Sequence, residues 1–159
     1  MTTSADRVDT RRRPVQSFSL LVGAVFLLVG VLGFIPGVTD HYEHLGFAGP
    51  GSDAELFGVF EVSVLHNLLH LLFGVLGVAA ARAAGASRAF LVVGGFLYLL
   101  LWVYGSIIDV DSAVNFAPFN SADNLLHLGL GAGMILLAVL ATALERSRGQ
   151  YPGREQRGR

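Results

Sequence analysis

Four long apolar runs, separated by short polar stretches, organise the chain. Phe18 to Ile35 is uncharged and ends at Pro36-Gly37. Val62 to Ala81 has no formally charged residue and stops before Arg82. Ala89 to Ile108 stops at Asp109, and Leu125 to Leu144 stops at Glu145-Arg146. A helix needs ~20 apolar residues to cross a hydrocarbon core of roughly 30 Å. In lipid each backbone polar group must be satisfied within its own segment, so runs this apolar are read as helices. The pattern predicts an all-α integral membrane four-helix bundle, with spans at about 17–35, 62–82, 89–108 and 122–144. The tails, 1–16 and 145–159, are polar and without apolar periodicity, and are expected to be disordered. Ser52-Asp53-Ala54-Glu55 reads as a capping box that opens a short interfacial helix over about 53–60.

The arginines give the direction. Arg7, Arg11, Arg12 and Arg13 precede the first run, Arg82 and Arg88 flank the second turn, and Arg146, Arg148, Arg154, Arg157 and Arg159 follow the last run. Four spans put these three regions on one side, which the positive-inside rule makes cytoplasmic. Both termini are therefore expected in the cytoplasm, and the localisation expected is the cell membrane. The opposite loops are acidic, with Asp40, Glu43, Asp53, Glu55 and Glu61 in one and Asp109, Asp111 and Asp123 in the other. The first run is too long for a cleaved signal core and no small-x-small site follows it, so it is read as a retained span. Tyr98, Trp102 and Tyr104 fall in the outer half of the third run, where aromatic residues serve as interfacial anchors.

Composition agrees with this picture. Charged residues are 14% of the chain, against roughly 25% in ordinary globular proteins. The apolar fraction is 53% and the mean hydropathy +0.59. No cysteine is present, which excludes disulfides, thiolate metal sites and cysteine nucleophiles. A net charge of −1 offers no basic field for nucleic acid, so the lipid bilayer is the expected partner. Arginine without lysine, together with abundant Ala, Gly, Val and Leu, suggests a GC-rich bacterial source.

The second and fourth runs repeat each other. Residues 66–71 read His-Asn-Leu-Leu-His-Leu, and residues 123–128 read Asp-Asn-Leu-Leu-His-Leu. Gly74 corresponds to Gly131, and Ser63 to Asn120, each a good N-cap. The chain is thus expected to hold two copies of a helical hairpin, running in the same direction and related by an axis along the membrane normal. The first and third runs show no clear match. This doubled Asn-Leu-Leu-His element, on Asn67/His70 and Asn124/His127, with four spans and an acidic first outer loop, resembles the bacterial membrane family called domain of unknown function 4383, common in actinobacteria. The resemblance covers about residues 17–144. It implies a four-helix membrane architecture and no assigned activity.

Positions i, i+4 and i+8 share a helix face. His66, His70 and Gly74 line one stripe of the second helix, with Gly77 near it, and Asp123, His127 and Gly131 line the matching stripe of the fourth, with Gly133 beyond. Asn67 and Asn124 flank these stripes. Small residues allow close helix approach, and ionisable residues in spans face the bundle interior. Helices 2 and 4 are therefore expected to meet along this face. The leading reading is a structural or accessory protein in which His and Asn hydrogen bonds fix the packing. The alternative is a metal or haem site: His66, His70, Asp123 and His127 would suit zinc, and His70 and His127 would suit the axial positions of haem. A second alternative is a proton or small-solute pathway, against which stands the absence of ionisable residues in the inner halves of both helices. No G-x-S-x-G, P-loop or H-E-x-x-H occurs, so the residues lean away from an enzyme. Gly23, Gly30, Gly33, Gly94 and Gly95 are expected at helix contacts, either within one chain or in a homo-oligomer.

Overall fold

The computed structural model describes residues 12–109 and 111–149. It is all-helical apart from one very small sheet. α1 (Pro14–Leu32), α2 (Val64–Ala80), α3 (Ala84–Ile107) and α4 (Ser121–Ser147) cover the four apolar runs. α1, α3 and α4 are long and apolar enough to cross a membrane. α2 is equally apolar but has only 17 residues. The expected tail disorder falls largely on 1–11 and 150–159, which lie outside the described residues. The inner ends of both tails are helical: α1 begins at Pro14 and α4 runs on to Ser147. Proline at the first helical position gives up no hydrogen bond, and the Arg13 N–H donates to the Gln16 side chain at 2.9 Å.

Glycine decides the pairing of helices. α1 packs along α2 and α3 along α4, while lesser contacts of α1 with α3 and α4, and of α2 with α3, join the two hairpins. α2 and α4 make no substantial contact. The expectation that they meet is corrected: they stand at opposite corners, and α1 and α3 approach each other between them. The cause is where the small residues point. A methyl added at Gly23 would lie 2.7 Å from the Val78 nitrogen and 2.9 Å from the Gly74 carbonyl oxygen. One added at Gly95 would lie 2.9 Å from the Gly131 carbonyl oxygen and 3.3 Å from the Ile135 nitrogen. Gly74 and Gly131 thus each face their own hairpin partner, against Leu27 and Leu99. Gly77 meets Gly23 and the ring of Phe90, whereas Gly133, expected at a close contact, has nothing among the described residues within 4 Å of an added methyl. Gly30, Gly33 and Gly94 are also enclosed by neighbours within the chain: Gly30 and Gly33 by α2, Gly94 by Met134.

The loop between α1 and α2 folds back as a cap. β1 (Thr39–Asp40), β2 (Glu55–Leu56) and β3 (Phe60–Glu61) form an antiparallel sheet in the order β1-β2-β3, with Thr39 opposite Leu56 and Leu56 opposite Phe60. Residues 53–60 are therefore strand and turn, not the expected interfacial helix. Ser52 does not cap a helix: its buried hydroxyl donates to the Val62 carbonyl at 2.6 Å and accepts from the Gly46 N–H at 3.1 Å. Phe57 and Gly58 turn the chain at positive φ. Ala54, Leu56 and Val62 form a small core beneath the sheet, against Val29 and Leu32 of α1.

The opposite end of the bundle is held by hydrogen bonds. Gln16 Nε2 donates to the Ala81 carbonyl at 3.0 Å and Ser19 Oγ to the Gly77 carbonyl at 2.8 Å. Between α3 and α4, Arg88 reaches Glu145 at 2.7 Å, and Glu145 is fully buried.

Candidate functional site

The polar residues singled out from the sequence gather at the sheet end, where three kinds of anchoring operate. Ser63 caps α2 by accepting from the His66 N–H at 3.1 Å. Asn120 caps α4 by accepting from the Ala122 and Asp123 N–H groups at 2.8 and 2.9 Å. Asp123 completes the box by accepting from the Asn120 N–H at 3.2 Å, and its same oxygen accepts from the Glu61 N–H of β3 at 3.0 Å. Asn120 Nδ2 donates to the Val59 carbonyl at 2.8 Å. The cap over the first hairpin is thereby tied to the start of the second.

The two asparagines act within their hairpins. Asn67 Nδ2 donates to the Gly33 carbonyl at 2.9 Å, joining α2 to the end of α1. Asn124 Nδ2 donates to Ser106 Oγ at 2.9 Å, joining α4 to the end of α3. An orphan carbonyl at a helix end needs such a partner when water is excluded.

The three histidines belong to a closed circuit of rings. His66 lies 4.6 Å from His70, His70 5.5 Å from Phe26, and Phe26 5.4 Å from Tyr98. Tyr98 then lies 5.4 Å from His127, His127 4.8 Å from Phe119, and Phe119 6.4 Å from His66. All six side chains are buried. Tyr98 is therefore a core residue, not the interfacial anchor its position suggested. Beside this circuit is a cavity of about 160 Å³, on which His66, His70, His127, Tyr98 and Phe119 all border. His70 Nδ1 lies 3.0 Å from the His66 carbonyl oxygen. The Nδ1 atoms of His66 and His127 are buried and have no hydrogen-bond partner among the described residues.

Phe119 reaches the site from the loop before α4. Asn115, itself buried, accepts from the Phe119 N–H at 3.0 Å, and Ala117 and Phe119 turn inward. Sequence reasoning missed Phe26, Phe73 and Phe119. The one signal for the last was the apolar Phe116-Ala117-Pro118-Phe119 inside a polar loop.

The proposed zinc ligands do not converge. Among the described residues no group of three or more His, Cys, Asp or Glu side chains is arranged to hold a metal ion. The Asp123 carboxylate is committed to two backbone N–H groups, which removes the one anionic ligand of the set. Haem fits no better. Phe26 and Tyr98 link His70 to His127 in the ring circuit, and the cavity is below the roughly 300 Å³ where ordinary ligand pockets begin. Toward the arginine end the core is apolar, formed by Met134, Leu91, Ala138, Ala141 and Val15.

A second recess, outside the helices, is bordered by His41, His44, Asp53, Glu55 and Glu61. Burial first, and then the charges of Glu55, Asp53 and Asp111, push the Glu61 carboxyl above its ordinary value.

No curated protein and no solved structure matches the chain. A family model does, over residues 16–140, which takes in all of α2 and α3 and most of α1 and α4. The chain belongs to the family described as domain of unknown function 4383.

Proposed function

We propose that this chain is a four-pass protein of the bacterial cell membrane, built from two copies of one helical hairpin, and that its role is structural or accessory. One observation carries this reading: equivalent residues make equivalent contacts in the two halves. Gly23 meets Gly74 as Gly95 meets Gly131. Leu27 covers Gly74 as Leu99 covers Gly131, and Asn67 crowds Gly33 as Asn124 crowds Gly105. His70 tilts by 51° on Phe26, and His127 by 54° on Tyr98. A single interval along the chain relates the α1 residues to their α3 counterparts, so the duplication extends to the helices where sequence alone offers no match.

Three helices have the length and hydropathy for crossing, and the 17 residues of α2 lie at the short end of the spanning range of ~17–25. The His, Asn and Asp side chains then serve as hydrogen-bonding and packing groups in a medium that offers no water. Arginine at both tails and at the α2–α3 turn supports cytoplasmic termini.

The test is a topology map. Carbonate washing of membranes is expected to leave the chain in the pellet. Alkaline phosphatase fused after Arg159 is expected to be inactive, and the same enzyme inserted near Gly49 active. Release by carbonate would end the membrane reading, and an active C-terminal fusion would reverse the orientation.

A further inference from the structure

We propose that the groove bordered by Arg88 and Arg146 holds an anionic phospholipid, with its phosphate at the two guanidinium groups and an acyl chain along the apolar wall. The inference rests on the membrane-spanning reading, because it takes the ligand from the bilayer.

Position comes first. Arg88 directly precedes the apolar run Ala89–Ile108, and Arg146 follows Leu125–Leu144 after Glu145. α3 and α4 pack along each other, and the Arg88–Glu145 ion pair joins them at this level. Both arginines therefore stand where hydrocarbon gives way to headgroups. From Arg146 the groove continues along α4 as far as Ile135, about 16 Å deeper at ~1.5 Å per residue. Its volume is about 280 Å³, close to the roughly 300 Å³ at which ordinary ligand pockets begin.

The deep end selects one half of the ligand. Val92, Ile135 and Val139 make the wall apolar, and Val139 is 59% exposed, so the wall is open to lipid. The Thr142 hydroxyl, also at the wall, donates to the Ala138 carbonyl of its own helix at 2.9 Å. A soluble polar ligand would find little to bond along this wall, whereas an acyl chain packs against it.

The shallow end selects the other. The Arg88 side chain is 29% exposed and Arg146 is exposed, so a ligand in the groove can reach both. No carboxylate borders the groove: Glu145 is fully buried and holds the Arg88 guanidinium in place at 2.7 Å. Among the described residues Glu145 is the single acid at this end of the bundle, against Arg12, Arg13, Arg82, Arg88, Arg146 and Arg148. A cation finds no partner there. An anion finds guanidinium groups, whose forked donors match phosphate oxygens. Basic pockets between helices at headgroup level take anionic lipid by this combination. A neutral lipid would use the wall but not the charge, and soluble phosphate the charge but not the wall. The ligand that uses both is a phospholipid with a net negative headgroup.

The experiment titrates full-length chain, purified in a non-ionic detergent, with dioleoylphosphatidylglycerol, following thermal stabilisation and bound lipid by native mass spectrometry. Dioleoylphosphatidylcholine, with the same chains and no net charge, is one control, and glycerol 1-phosphate, a headgroup without chains, is the other. Saturable binding of the anionic lipid, in preference to both controls, is expected. Arg146→Gln should weaken it about fivefold, equivalent to ~1 kcal/mol. Val139→Trp, which fills the groove from an exposed position and leaves both arginines in place, should weaken it as well. Arg148→Gln removes the same charge outside the groove and should leave binding unchanged. Equal losses at 146 and 148 would mean diffuse attraction to a basic surface, and the proposal would fall. Equal binding of the two lipids would overturn it, as would glycerol 1-phosphate binding as tightly as the lipid. A chain retained in carbonate-washed membranes that shows no preference for the anionic lipid fails this inference alone, whereas a chain released by carbonate fails the membrane reading beneath it.

Discussion

Phe26 and Tyr98 stack with their ring centroids 5.4 Å apart and 25° between their planes, at the junction of the two hairpins. Each ring also touches the histidine of its own hairpin, so the pair links His70 to His127 across the molecule. Offset stacking of this kind contributes about 0.5–1.5 kcal/mol beyond simple burial. In lipid, where burying apolar surface gives little net gain, such contacts and the glycine seams carry much of the packing.

The glycine seams are open to direct test. Gly23→Ala and Gly95→Ala each put a methyl under 3 Å from atoms of the facing helix. Both are expected to lose about 1–3 kcal/mol, as overpacked cores do. Gly129→Ala has nothing among the described residues within 4 Å to strike, and it replaces a poor helix former. It should be neutral or gain up to ~1 kcal/mol. Thermal unfolding in detergent reads all three, and equal losses at 23 and 129 would refute the seam.

The two asparagines should differ in weight. Asn67→Ala strips the Gly33 carbonyl of its donor at a buried site. A loss of about 1–2 kcal/mol is expected. Asn124→Ala should cost less, because Ser106 Oγ keeps its bond to the Trp102 carbonyl at 2.7 Å. Parallel denaturation of the two variants checks the order.

At the arginine end, Arg88→Leu removes the ion-pair partner of the fully buried Glu145. The expected loss is about 2–3 kcal/mol, below the ~3–5 kcal/mol of a wholly buried pair because Arg88 is partly exposed. The double variant Arg88→Leu/Glu145→Leu should recover much of it. A double variant less stable than Arg88→Leu would show that Glu145 does more than answer Arg88.

The outer cap should soften as pH rises. Glu61 holds its proton more tightly in the folded cap than in the unfolded chain. The folded state therefore binds more protons, and linkage makes its stability fall with increasing pH. That contribution is fully present below the ordinary carboxyl value of 4.5 and is lost as pH climbs through the raised one. Protection factors for hydrogen exchange at β2 and β3, with the base-catalysed rise of the intrinsic rate divided out, should fall as pH climbs above 4.5, and Glu61→Gln should flatten the trend. Protection that rises over this interval would contradict the assignment.

The helices were legible because their runs are long, and the caps at Ser63 and Asn120 because their side chains bond the groups their spacing implies. The partners of each helix were not. A polar stripe at i and i+4 says that His66 and His70 turn inward, but not which neighbour they meet. Glycine is equally silent on direction: Gly74 and Gly131 looked like a seam between α2 and α4, and each instead receives its own hairpin partner. Aromatic residues inside an apolar run add no contrast to it, so Phe26 and Tyr98 were invisible as a pair. At Ser52 the sequence spacing of a capping box was present, yet the hydroxyl found Val62, a contact that only the folded sheet creates.

The unequal helix lengths carry a consequence for the surrounding lipid. At ~1.5 Å per residue, the 17 residues of α2 reach about 25 Å and the 27 of α4 about 40 Å, at opposite corners of the bundle. Only Leu125–Leu144 of α4, about 30 Å long, is uncharged and apolar, so its first turn and its Glu145–Ser147 turn stand in the headgroup layer, while α2 has no helical turn to spare beyond the hydrocarbon.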